Sequence, residues 1–139
     1  IFKVIRVTCD VLNLAQLRRF ASSESAFRIS QKPSNPTIVV LGVNSSQVRL
    51  EWRYSDAPSQ YFVQFWRQKT GEKIKQISSS KDGNAFDPSN TEEFVARLPA
   101  TLILKNVKGG EEYTYRLYLL DSNARVQETH AVFIKVVGK

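Results

Sequence analysis

The 139-residue chain has the length of one domain, and its 42% hydrophobic and 24% charged residues exclude wholesale disorder while leaving enough apolar side chains for a core without covalent staples. The formal charge is +7, yet the cations are spread along the sequence with no run of five or more like charges, so nucleic acid is not an expected partner. A lone cysteine, Cys9, excludes an internal disulfide and a cysteine-based zinc site, and no apolar run approaches the roughly 20 residues needed for membrane insertion.

Residues 1–7, IFKVIRV, have strand composition with imperfect alternation. Asp10 then stands as an N-cap before VLNLAQLRRFA, in which Val11, Leu14, Ala15, Leu17 and Ala21 fall near helical spacing. Three readings of this opening stay open: a strand and helix added to the domain, the tail of a preceding domain, or a foreign leader. Lys3, Arg6 and Asp10 break any apolar stretch that a secretory signal would need. Residues 1–26 are therefore separated as an N-terminal extension and 27–139 as the domain. The chain begins without Met and stops just past a strand, so it is expected to be a piece of something longer.

Residues 27–30 are a candidate first edge strand, and the prolines of 32–36 make an extended connector. A short β-branched strand at 37–41 turns at 42–46. In VRLEWRY, Val48, Leu50 and Trp52 face one way and Arg49, Glu51 and Arg53 the other, which predicts one half-buried strand. After a loop at 56–59, YFVQFWRQ (61–68) is aromatic enough for a central strand, and a turn at 69–72 folds it back on 73–78 as a hairpin. Residues 78–90 are expected as a long surface loop, with a short strand at 94–98.

The stretch 101–120 is the most informative. Leu102 and Leu104 alternate with polar neighbours, Lys108-Gly109-Gly110 turns a corner, and Tyr113, Tyr115, Leu117 and Leu119 alternate with Thr114, Arg116 and Tyr118. Tyr115, two residues before the inward Leu117, has the placement of a tyrosine corner, with its ring inside and its hydroxyl reaching back to the chain. After a polar loop at 122–127, the last strand (129–137) puts Val132, Ile134 and Val136 on one side and Ala131, Phe133 and Lys135 on the other. Seven to nine short strands and at most one helix, at the N-terminus, predict an all-β antiparallel Greek-key sandwich.

On NPTIVVLG, VRLEWRY, ATLILKNV and EEYTYRLYLL, the chain from about residue 33 to 137 resembles an immunoglobulin-superfamily domain, V-set-like as in extracellular domains of invertebrate, especially cnidarian, surface receptors. The resemblance implies that these pieces serve as strands B, E and F. Trp52 then stands at the first cysteine position and Leu117 at the second, so apolar contact among core residues Trp52, Tyr115 and Leu117 replaces the inter-sheet disulfide. A fibronectin type III domain is the alternative, similar through VRLEW, YFVQFWRQ and VKGGEEYTYRLYLLD. The length from about 75 to 101 leaves room for extra strands C″ and D, which favours the V-set reading. The resemblance also implies an extracellular or cell-surface location and a dimerising G-F-C face.

No catalytic constellation is visible. Cys9 and His130 lack partners at useful spacing, no glycine loop cradles phosphate, and the acidic residues are scattered, so no enzyme activity, cofactor or metal is expected. His130 is expected as an exposed or edge residue. If Tyr61, Val63 and Phe65 face the core, then Phe62, Gln64 and Trp66 point outward, as do Arg116 and Tyr118 on the next strand and Phe133 and Lys135 on the last. Aromatic anchors around an arginine with a polar rim are the composition of a protein-binding hot spot, so the expected partner is another protein or a second copy of the chain.

Competing readings remain beside this one. The apolar residues of the extension, Ile1, Phe2, Val4, Leu12, Leu14, Leu17 and Phe20, can cover the same face, or residues 1–7 can add as a strand to a neighbouring molecule and build a fibre-forming structural subunit. Arg67, Lys69, Lys73 and Lys75 on the hairpin form a candidate glycan or acidic-surface patch, against which stands a solvated, charge-protected edge hairpin. Asn44-Ser45-Ser46 is an N-glycosylation sequon in a predicted turn.

Overall fold

Period-two alternation of apolar and polar residues produces ten strands and no helix among the described residues, 26–40 and 48–138, of the computed structural model. In chain order they are β1 (Arg28–Gln31), β2 (Thr37–Val40), β3 (Val48–Glu51), β4 (Arg53–Ser55), β5 (Tyr61–Lys69), β6 (Lys75–Lys81), β7 (Phe94–Arg97), β8 (Thr101–Leu104), β9 (Glu112–Asp121) and β10 (Val126–Val137). The N-terminal strand and helix expected before residue 26, with Cys9, and the sequon at Asn44 lie outside the described residues.

The chain forms an all-β sandwich. One layer is a five-stranded sheet in the order β2-β10-β9-β5-β6, antiparallel throughout except for the parallel pairing of β2 with β10. The other holds β3-β8-β7 and the pair β1-β4. These two pieces meet at Trp52, which separates β3 from β4 and whose backbone N–H donates to the Ala100 carbonyl at 3.0 Å. The sequence predicts one unbroken strand through VRLEWRY. That bond extends the register of β3 with β8 by one residue, and the break arises because the chain then changes partner, β4 pairing with β1 from Arg53 onward.

Inward side chains of both layers build the core. Val48, Leu50, Trp52, Leu102 and Leu104 come from one layer; Val63, Phe65, Tyr115, Leu117, Leu119, Val132, Ile134 and Val136 come from the other. Trp52, with no exposed surface, crosses between layers to Phe65, ring centroids 5.7 Å apart. Phe65 in turn lies 5.0 Å from Phe86. Phe86 is only 4% exposed, so the segment read as a long surface loop contributes to the core. The loop is also shorter than expected, since β6 extends to Lys81. The buried hydroxyls of Ser78 and Ser80 fasten it down by donating to the carbonyls of Pro88 and Asn84, each at 2.6 Å. Polar composition hides this arrangement because the serine donors are satisfied within the loop itself.

His130 departs most from expectation. It shares the inward parity of Val132 and Ile134, is half-buried, and its Nδ1 accepts a 3.0 Å hydrogen bond from Trp52 Nε1. The sole histidine thus satisfies the indole N–H of the largest buried side chain. Burial, and then the charge of Lys32, lower its pKa below the ordinary 6.5, with Glu128 opposing. The folded state therefore binds fewer protons than the unfolded chain, and this contribution to stability is complete above pH 6.5 and lost as pH falls through the lower folded value. Urea unfolding between pH 7.5 and 5 is expected to show stability decreasing toward acid, and His130→Gln to flatten that slope. An unchanged slope in the variant would remove His130 from the account.

Candidate binding face

The outer surface of the five-stranded sheet is set by the same alternation that fills the core. Val63 and Phe65 on β5, Leu117 and Leu119 on β9, and Val132 and Ile134 on β10 are buried. Their neighbours Phe62, Gln64, Trp66, Arg116, Tyr118 and Phe133 are half-buried on the opposite side, and Lys135 is exposed there. Register then assembles rows across the face: Gln64 opposite Tyr118 opposite Thr129, Trp66 opposite Arg116 opposite Ala131, and Thr114 opposite Phe133. All seven residues expected there occupy this one sheet.

They are not equally close. Gln64, Trp66, Arg116 and Tyr118 form the centre. The Trp66 and Tyr118 rings pack edge to face at 5.6 Å and 73°, and Trp66 Nε1 donates to Gln64 Oε1 at 3.0 Å. Phe133 lies one row further on β10. Phe62 stands near the end of β5 with the Lys81 ammonium 6.0 Å from its ring centroid. Lys135 stands toward the opposite end of the sheet, opposite Glu112 on one side and Ile38 on the other. The parallel docking of β2 brings in Ile38, 57% exposed, which sequence reasoning did not place on this face. Four β-branched or aliphatic residues in a row fit either layer, and only the pairing with β10 decides.

The hairpin cations divide differently. Arg67, Lys69, Lys73 and Lys75 line one cavity of about 190 Å³ together with Glu72, Glu93 and Tyr113. Arg67 is nevertheless no member of a solvated patch. Its side chain is 12% exposed, turned to the inner side of β5, and bonded to Glu93 Oε1 at 3.0 Å. Its guanidinium stands 5.6 Å from the Tyr113 ring centroid and is the cation that faces the Tyr115 hydroxyl. The Tyr115 ring is buried as a tyrosine corner requires, but its hydroxyl meets this guanidinium where the corner reading expected main chain. Burial raises the Tyr115 pKa despite the neighbouring cation, so the hydroxyl stays neutral. Lys69, Lys73 and Lys75 remain exposed.

Arg67, Tyr113 and Tyr115 also border a second cavity of about 350 Å³, closed by Glu93, Lys105 and Glu111 among others. The Tyr113 hydroxyl donates to Glu111 Oε2 at 3.1 Å, and Glu111 Oε1 accepts the Lys108 N–H at 3.2 Å. Glu111 thus ties the turn between β8 and β9 to the sheet, while Glu93 is held by Arg67 and the Lys105 ammonium by Asn90 Oδ1. Among the described residues no three His, Cys, Asp or Glu side chains gather to hold a metal ion. Neither a protein-family model nor a curated protein sequence matches the chain.

Proposed function

We propose that this chain is an extracellular recognition module of immunoglobulin-like kind that binds another protein through the outer face of the β2-β10-β9-β5-β6 sheet. The observation that carries the reading is the packed pair Trp66–Tyr118 beside Arg116 at the centre of that face. Tryptophan, tyrosine and arginine are the residues that dominate binding energy at protein interfaces, and here they are contiguous. The strand orders support the immunoglobulin-like assignment: β1, β3/β4, β8 and β7 take the places of strands A, B, E and D, and β10, β9, β5 and β6 those of G, F, C and C′. The β7–β8 pairing favours this over the fibronectin type III alternative.

The face is tested with the chain displayed multivalently on beads, beside beads carrying Trp66→Glu with Tyr118→Glu. Bead clustering reads recognition of a second copy, and staining of intact cells reads recognition of a different protein. One of these signals is expected from the full chain, with a loss of about 100-fold or more in the double variant and little response to raised salt. Binding that survives the double variant and collapses with salt would overturn the reading in favour of a glycan held by Lys69, Lys73 and Lys75.

A further inference from the structure

Arg116 occupies the middle of the proposed face in an unusual setting. Trp66 lies opposite it on β5 and Ala131 on β10, while Tyr118 follows on the same strand and the same side. Its side chain is half-buried, and among the described residues no carboxylate comes within ion-pair distance of it and no acceptor takes its hydrogen bonds. The nearest alternative donor, the Trp66 indole N–H, is already given to Gln64. Opposite the bulk of Trp66, the methyl group of Ala131 leaves the other flank of Arg116 low, so a group from outside can approach the guanidinium from that side.

The charges around it share its sign. The charged side chains in the rows of this face are Arg116, Lys135, Lys81 and Glu112, three cations against one carboxylate, and Glu112 already lies opposite Lys135. Glu128 faces inward instead and accepts the Ile29 N–H at 2.6 Å. A second copy stacked face to face therefore presents a cation to a cation at the centre. Closing any partner over an unpaired guanidinium strips its water, and that cost is recovered only when the partner brings an anion. The planar fork of arginine suits a carboxylate bidentately.

Resting on the proposed use of this face, we infer that its partner is a different protein that inserts an aspartate or glutamate carboxylate against Arg116, flanked by apolar or aromatic side chains that pack on Trp66, Tyr118 and Phe133. Arg116 is then the specificity determinant, and the like charges of the face disfavour self-recognition.

The probe is a random copolymer of glutamate and tyrosine, with polyglutamate and heparin beside it, titrated at physiological salt into the full chain and four variants. Arg116→Gln removes the central charge. Arg97→Gln removes one exposed charge from the end of β7 in the other layer. Trp66→Glu with Tyr118→Glu destroys the aromatic centre, and a triple change of Lys69, Lys73 and Lys75 to Gln discharges the hairpin. Unfolding curves establish that each is folded.

The expected result is that the copolymer binds more tightly than polyglutamate, loses about tenfold or more with Arg116→Gln, and is unaffected by Arg97→Gln. Equal loss with both single arginine variants reduces the effect to net charge and overturns the inference. Loss with the double aromatic variant but not with Arg116→Gln keeps the face and overturns the acidic partner. Binding indifferent to every face variant, no copolymer binding at all, or preference for heparin abolished by the triple lysine change overturns both.

Discussion

Trp52→Ala is expected to destabilise the domain by about 3–5 kcal/mol, the range for deleting a large buried aromatic, against a total of about 5–15 kcal/mol for domains of this kind. Trp52 is fully buried at the junction of β3 and β4, touches Phe65 across the sandwich, and donates its indole N–H to His130. No cross-link limits the loss, because the only cysteine, Cys9, has no second thiol to pair with. Trp52→Phe separates packing from hydrogen bonding. It keeps most of the apolar volume and removes the donor, and because His130 is half-buried its freed nitrogen can take water, so the expected cost is nearer 1–2 kcal/mol. Removing the donor also uncouples the histidine from the indole, so the acid slope described above should shrink in Trp52→Phe. Urea unfolding of both variants at pH 7.5 and 5 measures all three quantities. A cost under about 1 kcal/mol for Trp52→Ala would mean that the two layers are held elsewhere.

The sandwich and its outer face were legible because β5, β9 and β10 are long strands with strict alternation. Once Val63, Leu117 and Val132 are inward, the sides taken by Trp66, Arg116 and Phe133 follow from the pleat. The same rule was sufficient for two residues whose chemistry suggested otherwise. Arg67 shares parity with Val63 and Phe65, and His130 with Val132 and Ile134; a charged and a titratable side chain were expected at the surface, whereas position on the strand takes both inward, where Glu93 and Trp52 bond them. Other features had no local signal. Phe86 is a single aromatic in a polar segment, with no periodic window around it. Ile38 joins the face through a parallel pairing with Lys135, 97 residues away, which four residues of β2 cannot specify by themselves. The break at Trp52 depends on a change of partner from β8 to β1, which VRLEWRY cannot specify by itself.

Arg67→Ala is expected to cost about 2–3 kcal/mol, while Glu93→Gln, at the other end of the same ion pair, costs about 0.5 kcal/mol or less. The asymmetry follows from burial: the Arg67 side chain is 12% exposed and the Glu93 side chain 64%, so water replaces the glutamate readily and the arginine poorly. Arg67 also lines, with Tyr113 and Tyr115, the cavity beside the turn before β9, and its loss removes the cation beside the buried Tyr115 hydroxyl. Arg67→Met restores the stem but not the donors and should recover about half of the loss. A double-mutant cycle with Tyr115→Phe is expected to give a coupling near 1 kcal/mol, larger than the coupling between Arg67 and Glu93. Unfolding in urea reads each term. Should Arg67→Ala fall within about 0.5 kcal/mol of the parent, the guanidinium is free to serve with Lys69, Lys73 and Lys75, and a four-cation glycan site at the hairpin becomes the stronger reading of this end of the molecule.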